Sequence, residues 1–119
     1  MMISDHTISD RNNDGWDSPE IWNDLMTNNT VQNNPFGFSI DYTDISTTST
    51  NVSTTTHPVL NGTQGTVTSV QFNNGATITI NPTVNPNVQG LVWKSSVTKN
   101  NNNLLCAIST FGTGRVFVL

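Results

Sequence analysis

The hydrophobic positions of this chain follow two different rhythms. Near the start, Ile21, Trp22, Leu25 and Met26 fall on one face at helical spacing. Ser18 supplies an N-cap, Pro19 the tolerated first helical position, and Glu20 a negative charge near the positive end of the dipole. These signals predict one helix over 19–28, ended by Asn28-Asn29. From there on the rhythm is that of strands. Phe36, Phe38, Ile40 and Tyr42 alternate with Gly37, Ser39 and Asp41, the period of a half-buried strand.

A Ser/Thr-rich connector over 43–56 leads into the turn His57-Pro58-Val59-Leu60-Asn61-Gly62. Apolar stretches at 67–72 and 76–80 flank Asn73-Asn74-Gly75, a strong hairpin signal. A Pro/Asn loop over 81–90 precedes a short strand at Leu91-Val92-Trp93, and Asn100 to Asn103 form a polar turn. Two last strands, 104–110 and 115–119, are joined by the hairpin turn Phe111-Gly112-Thr113-Gly114. Both are apolar on consecutive residues, which implies burial on both faces, as in the centre of a layered α/β sheet. One helix with six or seven strands fits a sandwich poorly. The expectation is therefore an α/β fold, with residues 1–119 a single partial domain. Met1-Met2-Ile3 and Arg115-Val116-Phe117-Val118-Leu119 read as buried strands that start and stop abruptly, as in an internal piece of a longer protein.

Composition narrows the function classes. The 119 residues carry a net charge of −4, and only 10% are charged. Arg11, Lys94, Lys99 and Arg115 are the only strong cations and never cluster, which argues against a nucleic-acid surface. No apolar run reaches the length of a membrane span. Abundant Asn, Thr and Ser, with little Lys and one cysteine, suggest an extracellular or cell-envelope protein, although no signal peptide precedes residue 1. Sequons at Asn28, Asn51 and Asn61 are expected by chance in such a composition. Cys106 lies in the run Leu104-Leu105-Cys106-Ala107-Ile108 and reads as a small buried hydrophobe.

The densest chemistry is the acidic loop. Asp10, Asn12 and Asp14 stand at alternate positions and are followed by Gly15, like the first half of a calcium-binding loop. The bidentate acid expected at the twelfth position is displaced, because Ile21 stands there and Glu20 precedes it. Asp17 and Glu20 complete a candidate calcium set with Asp10, Asn12 and Asp14. A turn in which Asp and Asn cap the following helix, or a catalytic metal, are the other readings of this loop. Asp5-His6, where a strand meets a loop, is the candidate catalytic pair: His6 as base or ligand, oriented by Asp5 or Asp10. His57 reads as structural, because the His-Pro pair fixes an extended conformation. Trp22 and Trp93 read as core, and Trp16 is the one aromatic that a ligand could stack on.

Short segments of the chain resemble bacterial glutamine-amidotransferase-like domains. They are Met2-Ile3-Ser4-Asp5-His6, Ser9-Asp10-Arg11, Asp14-Gly15-Trp16-Asp17-Ser18, Asn23-Asp24-Leu25, His57-Pro58-Val59-Leu60-Asn61-Gly62 with Gly65, and Phe111-Gly112-Thr113-Gly114-Arg115-Val116. The resemblance implies a flavodoxin-like three-layer core in a large exported or envelope protein. It does not carry the chemistry over, because Cys106 stands mid-strand and not on a strand-to-helix elbow. The leading expectation is thus a non-catalytic structural or binding module, with other domains of the same parent chain as partners and calcium as its one candidate cofactor. A hydrolase-like site around Asp5, His6 and the acidic loop, or a β-rich carbohydrate-binding module, are the alternatives.

Overall fold

The computed structural model describes residues 2–3, 35–40, 45–54, 56–75 and 77–119. The helix expected over 19–28 lies outside the described residues. Among the described residues ten strands run in chain order: β1 Met2–Ile3, β2 Phe38–Ile40, β3 Ile45–Ser49, β4 Asn61–Gly62, β5 Gly65–Thr66, β6 Val70–Gly75, β7 Ile78–Ile80, β8 Gln89–Trp93, β9 Leu104–Phe111 and β10 Gly114–Val118. The main sheet is ordered β1-β10-β9-β7-β2, with β8 also paired to β9, while β3-β6 and β4-β5 are separate two-stranded ribbons.

The expected α/β, flavodoxin-like three-layer fold is overturned. The described part is all-β, without helix, and its main sheet curls into a half-barrel. Among the described residues every pairing of the main sheet is antiparallel except β1 with β10, whereas a flavodoxin-like sheet is parallel throughout. The source of the error is β9. Its run Leu104-Leu105-Cys106-Ala107 is buried on both faces, as the sequence implies, and among the described residues it is other strands and turns that pack against it. Consecutive apolar residues report two-sided burial and are silent about what does the covering.

Two hydrophobic clusters lie on the two faces. The first gathers Phe36, Phe38, Ile78, Ile80, Trp93, Leu104, Ala107, Val116 and Val118 with Val88. The second gathers Ile45, Leu60, Leu91, Val92, Leu105 and Cys106, with Ile108, Phe117 and Phe72 packed against it. Strand alternation assigns residues to faces, and two register shifts edit that assignment. Gly90 pairs with Ala107, Val92 with Cys106 and Trp93 with Leu104, so β8 gains a residue at Leu91 and β9 gains one at Leu105. Each strand thereby sends two successive side chains into the second cluster, then returns Trp93 and Leu104 to the first. Gly90 is required at this crossing. A Cβ there would stand 2.3 Å from Leu104 Cδ2 and 2.6 Å from the Trp93 ring.

Two local expectations also change. Asn73-Asn74-Gly75 does not turn a hairpin; β6 runs through it to pair with β3, and β7 pairs with β2 and β9. The connector over 43–56 contains β3, whose Ser49 is fully buried and donates to the Trp93 carbonyl. The final hairpin forms as the sequence implies. Phe111 pairs with Gly114 around Gly112-Thr113, and Gly112 takes φ +59° at the first central position, where a type II′ turn needs glycine.

Candidate ligand-binding site

The strand register builds a small grid at one end of the second cluster's face. Ile108 of β9 pairs with Gln89 of β8 on one side and Phe117 of β10 on the other. Two residues further along β9, Thr110 pairs with Arg115. Alternation puts Gln89, Ile108, Thr110, Arg115 and Phe117 on one face of the sheet. Asn87, two residues before Gln89, extends the β8 column. These side chains line a cavity of about 500 Å³ together with the turn His57-Pro58-Val59. That volume is typical of a small-molecule site.

The walls are held by local chemistry that can be traced residue by residue. In the loop before β8, Asn-Pro occurs twice and each Asn folds back on the chain. Asn81 Oδ1 accepts from the Thr83 amide at 3.0 Å, and Asn85 Oδ1 accepts from the Asn87 amide at 2.9 Å. Asn85 is buried, and its side-chain NH2 lies 3.1 Å from the Pro35 carbonyl, 2.9 Å from Ser109 Oγ and 2.8 Å from the Thr110 carbonyl. Ser109 in turn donates to the Phe36 carbonyl at 2.7 Å. One side chain therefore ties the loop that bears Asn87 to the strand that bears Thr110.

The opposite wall is the turn at 57–60. The Leu60 and Asn61 amides both donate to the His57 carbonyl, at 2.8 and 3.0 Å, and Leu60 is buried in the second cluster. The His57 ring closes the turn, its Nδ1 accepting from the Val59 amide at 3.2 Å. In the neutral ring the proton then resides on Nε2, which is left as a donor. His57 thus braces its own turn through its ring, a contact different from the His-Pro backbone effect expected of it, and also lines the cavity. The site is rich in donors: the Arg115 guanidinium, the His57 ring, the amides of Asn87 and Gln89, and the Thr110 hydroxyl. Ile108 and Phe117 supply the apolar floor, and no carboxylate is among the lining side chains.

The residues singled out in the sequence fall elsewhere. Asp5 and His6, and the acidic set Asp10, Asn12, Asp14, Asp17 and Glu20, lie outside the described residues, as does Trp16. Among the described residues no three His, Cys, Asp or Glu side chains come together as a metal site. Among the described residues no helix is long and apolar enough to cross a membrane. Trp93 is core: it is 7% exposed and its indole N–H donates to the Asn100 carbonyl at 2.7 Å. Lys99 Nζ sits 5.9 Å from the centre of its ring. Cys106 is buried, and desolvation pushes its thiol up to about 12.

Sequence reasoning missed Asn87, Gln89, Thr110 and Arg115. The available signal is that Arg115 and Phe117 share a face by alternation, which the consecutive apolar residues of 115–119 mask. No protein-family profile, curated protein or solved structure matches the chain.

Proposed function

We propose that the chain is a non-catalytic binding module of an exported bacterial protein, working beside other domains and taking a small polar ligand. The observation that carries this reading is the grid of Gln89, Ile108, Thr110, Arg115 and Phe117 around the cavity of about 500 Å³. Three paired strands hold the floor, so the polar groups are positioned before a ligand arrives, which lowers the ordering cost of binding. The Asn-, Thr- and Ser-rich, Lys-poor composition supports a place outside the cell. Amidotransferase-type thiol chemistry has no place in the reading. A buried mid-strand thiol with a pKa near 12 supplies almost no thiolate at neutral pH.

A calcium-stabilised loop at residues 10–20 is part of the same proposal, resting on the spacing of Asp10, Asn12 and Asp14. It concerns stability and not the cavity.

The binding reading is tested by a thermal-shift panel of neutral and charged sugars, amino acids and small carboxylic acids. The parent chain is compared with Thr110→Trp, which places an indole in the cavity while leaving the Thr110 carbonyl bond to Asn85 intact. Stabilisation of the parent that Thr110→Trp abolishes is the expected result. Equal shifts in both proteins, or none with any compound, would refute it.

A further inference from the structure

The cavity joins an apolar floor to a row of neutral polar groups. Val88, Ala107 and Val116 are buried in the first cluster, and Ser109 bonds to Asn85 and the Phe36 carbonyl on that same side. Alternation then turns their neighbours Asn87, Gln89, Ile108, Thr110 and Phe117 to the opposite face, where the cavity lies. Ile108 and Phe117 are half-buried against the second cluster, so its apolar surface runs out into the cavity floor. Val59, 40% exposed, continues that surface on the turn side. Asn87 and Gln89 are exposed and set two side-chain amides beside the floor.

Charge and polarity narrow what fits. No carboxylate lines the cavity, so a cationic ligand finds no opposite charge there. Arg115, the one Lys or Arg in the lining, already makes an interaction within the chain. The remaining polar side chains on this face are neutral: two amides, the Thr110 hydroxyl, and the His57 ring with its Nδ1 taken by the Val59 amide. A wholly apolar ligand would strip water from the amides and leave their hydrogen bonds unmade. An open-chain polyol would match the amides, cover the floor poorly and lose its own rotational freedom on binding.

Resting on the binding reading above, we infer that the cavity takes a neutral pyranose, its C–H face on Ile108 and Phe117 and its hydroxyls on Asn87 and Gln89. A pyranose ring is rigid and carries an apolar patch of C–H groups beside a rim of hydroxyls. Each hydroxyl both donates and accepts, and each amide offers an NH2 and a carbonyl, so one amide donates to one hydroxyl and accepts from the next. Thr110 and His57 Nε2 offer further partners of the same neutral kind. The ligand needs no charge from Arg115.

The test is calorimetric titration of the full chain with the methyl pyranosides of glucose, galactose and mannose, beside cyclohexanol, sorbitol and D-glucuronate. It is repeated on Gln89→Leu, which replaces an exposed amide with a hydrocarbon of similar size and leaves the buried clusters untouched. At least one methyl pyranoside binds the parent about fivefold or more tighter than cyclohexanol or sorbitol, since a neutral hydrogen bond contributes about fivefold. Gln89→Leu weakens that pyranoside by about fivefold and strengthens cyclohexanol, an exchange of preference that a loss of structure would not produce. Raising salt leaves pyranoside affinity unchanged, and D-glucuronate binds no tighter than methyl glucoside. Cyclohexanol or sorbitol matching every pyranoside, a preference for D-glucuronate, or no effect of Gln89→Leu overturns this inference while leaving the broader binding reading intact. Absence of binding by all three pyranosides also overturns it, and the ligand panel with Thr110→Trp then decides the broader reading separately.

Discussion

Asn85 is the residue on which the described architecture leans most, and its removal has a magnitude that can be worked from the structure. The side chain is 6% exposed and makes four polar contacts: its NH2 reaches Pro35 O, Ser109 Oγ and Thr110 O, and its Oδ1 accepts from the Asn87 amide. Asn85→Ala deletes all four and leaves buried acceptors without a donor. At about 1 kcal/mol per neutral hydrogen bond, with partial relaxation of the surroundings, the loss is about 3 kcal/mol. That is a large part of the roughly 5–15 kcal/mol that stabilises a typical domain. For a chain of this size it corresponds to a melting point lower by about 10 °C. Asn85→Asp sharpens the argument, because it keeps the shape and replaces the NH2 donor with an oxygen facing other oxygens. A carboxyl buried there has its pKa raised, so its protonated form is favoured in the folded state. Stability of this variant therefore rises as pH falls, opposite to an ordinary salt-bridged acid. Urea unfolding followed by circular dichroism measures both effects. A loss below about 1 kcal/mol for Asn85→Ala, with an unchanged slope, would refute the assignment of Asn85 as the tie between loop and strand.

Three further outcomes follow from the same structure. Gly90→Ala drives a Cβ into Leu104 and Trp93, and overpacking of this kind costs about 1–3 kcal/mol; a melting point equal to the parent's contradicts the crossing described for β8 and β9. Cys106 stays unlabelled by thiol reagents at pH 8 until the chain is unfolded. Its folded pKa of about 12 lies above the ordinary 9.0, so its contribution to stability is complete below pH 9 and is lost between pH 9 and 12; Cys106→Val flattens that slope, and an unaltered slope argues against the burial. Millimolar calcium raises the melting point of the parent chain and leaves the double variant Asp10→Ala/Asp14→Ala unaffected, whereas identical melting with and without calcium returns residues 10–20 to a capped turn.

The strands were legible in the sequence where side chains alternate or cluster strongly. Phe38 and Ile40, the run from Leu104, and the Gly112-Thr113 hairpin lie where pattern and turn chemistry place them, whereas Phe36 sits in the turn before its strand. Fold class was not legible, for a physical reason. Leu91-Val92 and Leu104-Leu105-Cys106 break alternation because paired register shifts send neighbours to one face, and a shift leaves no trace in residue type beyond the glycine at 90. The β3 strand was hidden because Ser46, Thr47, Thr48 and Ser49 look like a linker, yet Ser49 is buried with its hydroxyl bonded to a carbonyl. Asn73-Asn74-Gly75 carried the strongest hairpin signal in the chain, and pairing with β3 overrode it. The candidate site was half visible. Acidic residues draw attention by their density, while the cavity is assembled from Asn87, Gln89, Thr110 and Arg115, common residues whose meaning comes only from cross-strand register.

The central claim is that one end of this sheet, on the face of Ile108 and Phe117, is a binding site. Amide chemical-shift mapping of the full chain during titration with the compounds of the thermal-shift panel tests it most directly. The account predicts saturable shifts confined to Asn87, Gln89, Ile108, Thr110, Arg115, Phe117 and the turn at 57–59, with β3 and β6 silent. Shifts centred on β3 and β6, or spread evenly without saturation, would contradict it.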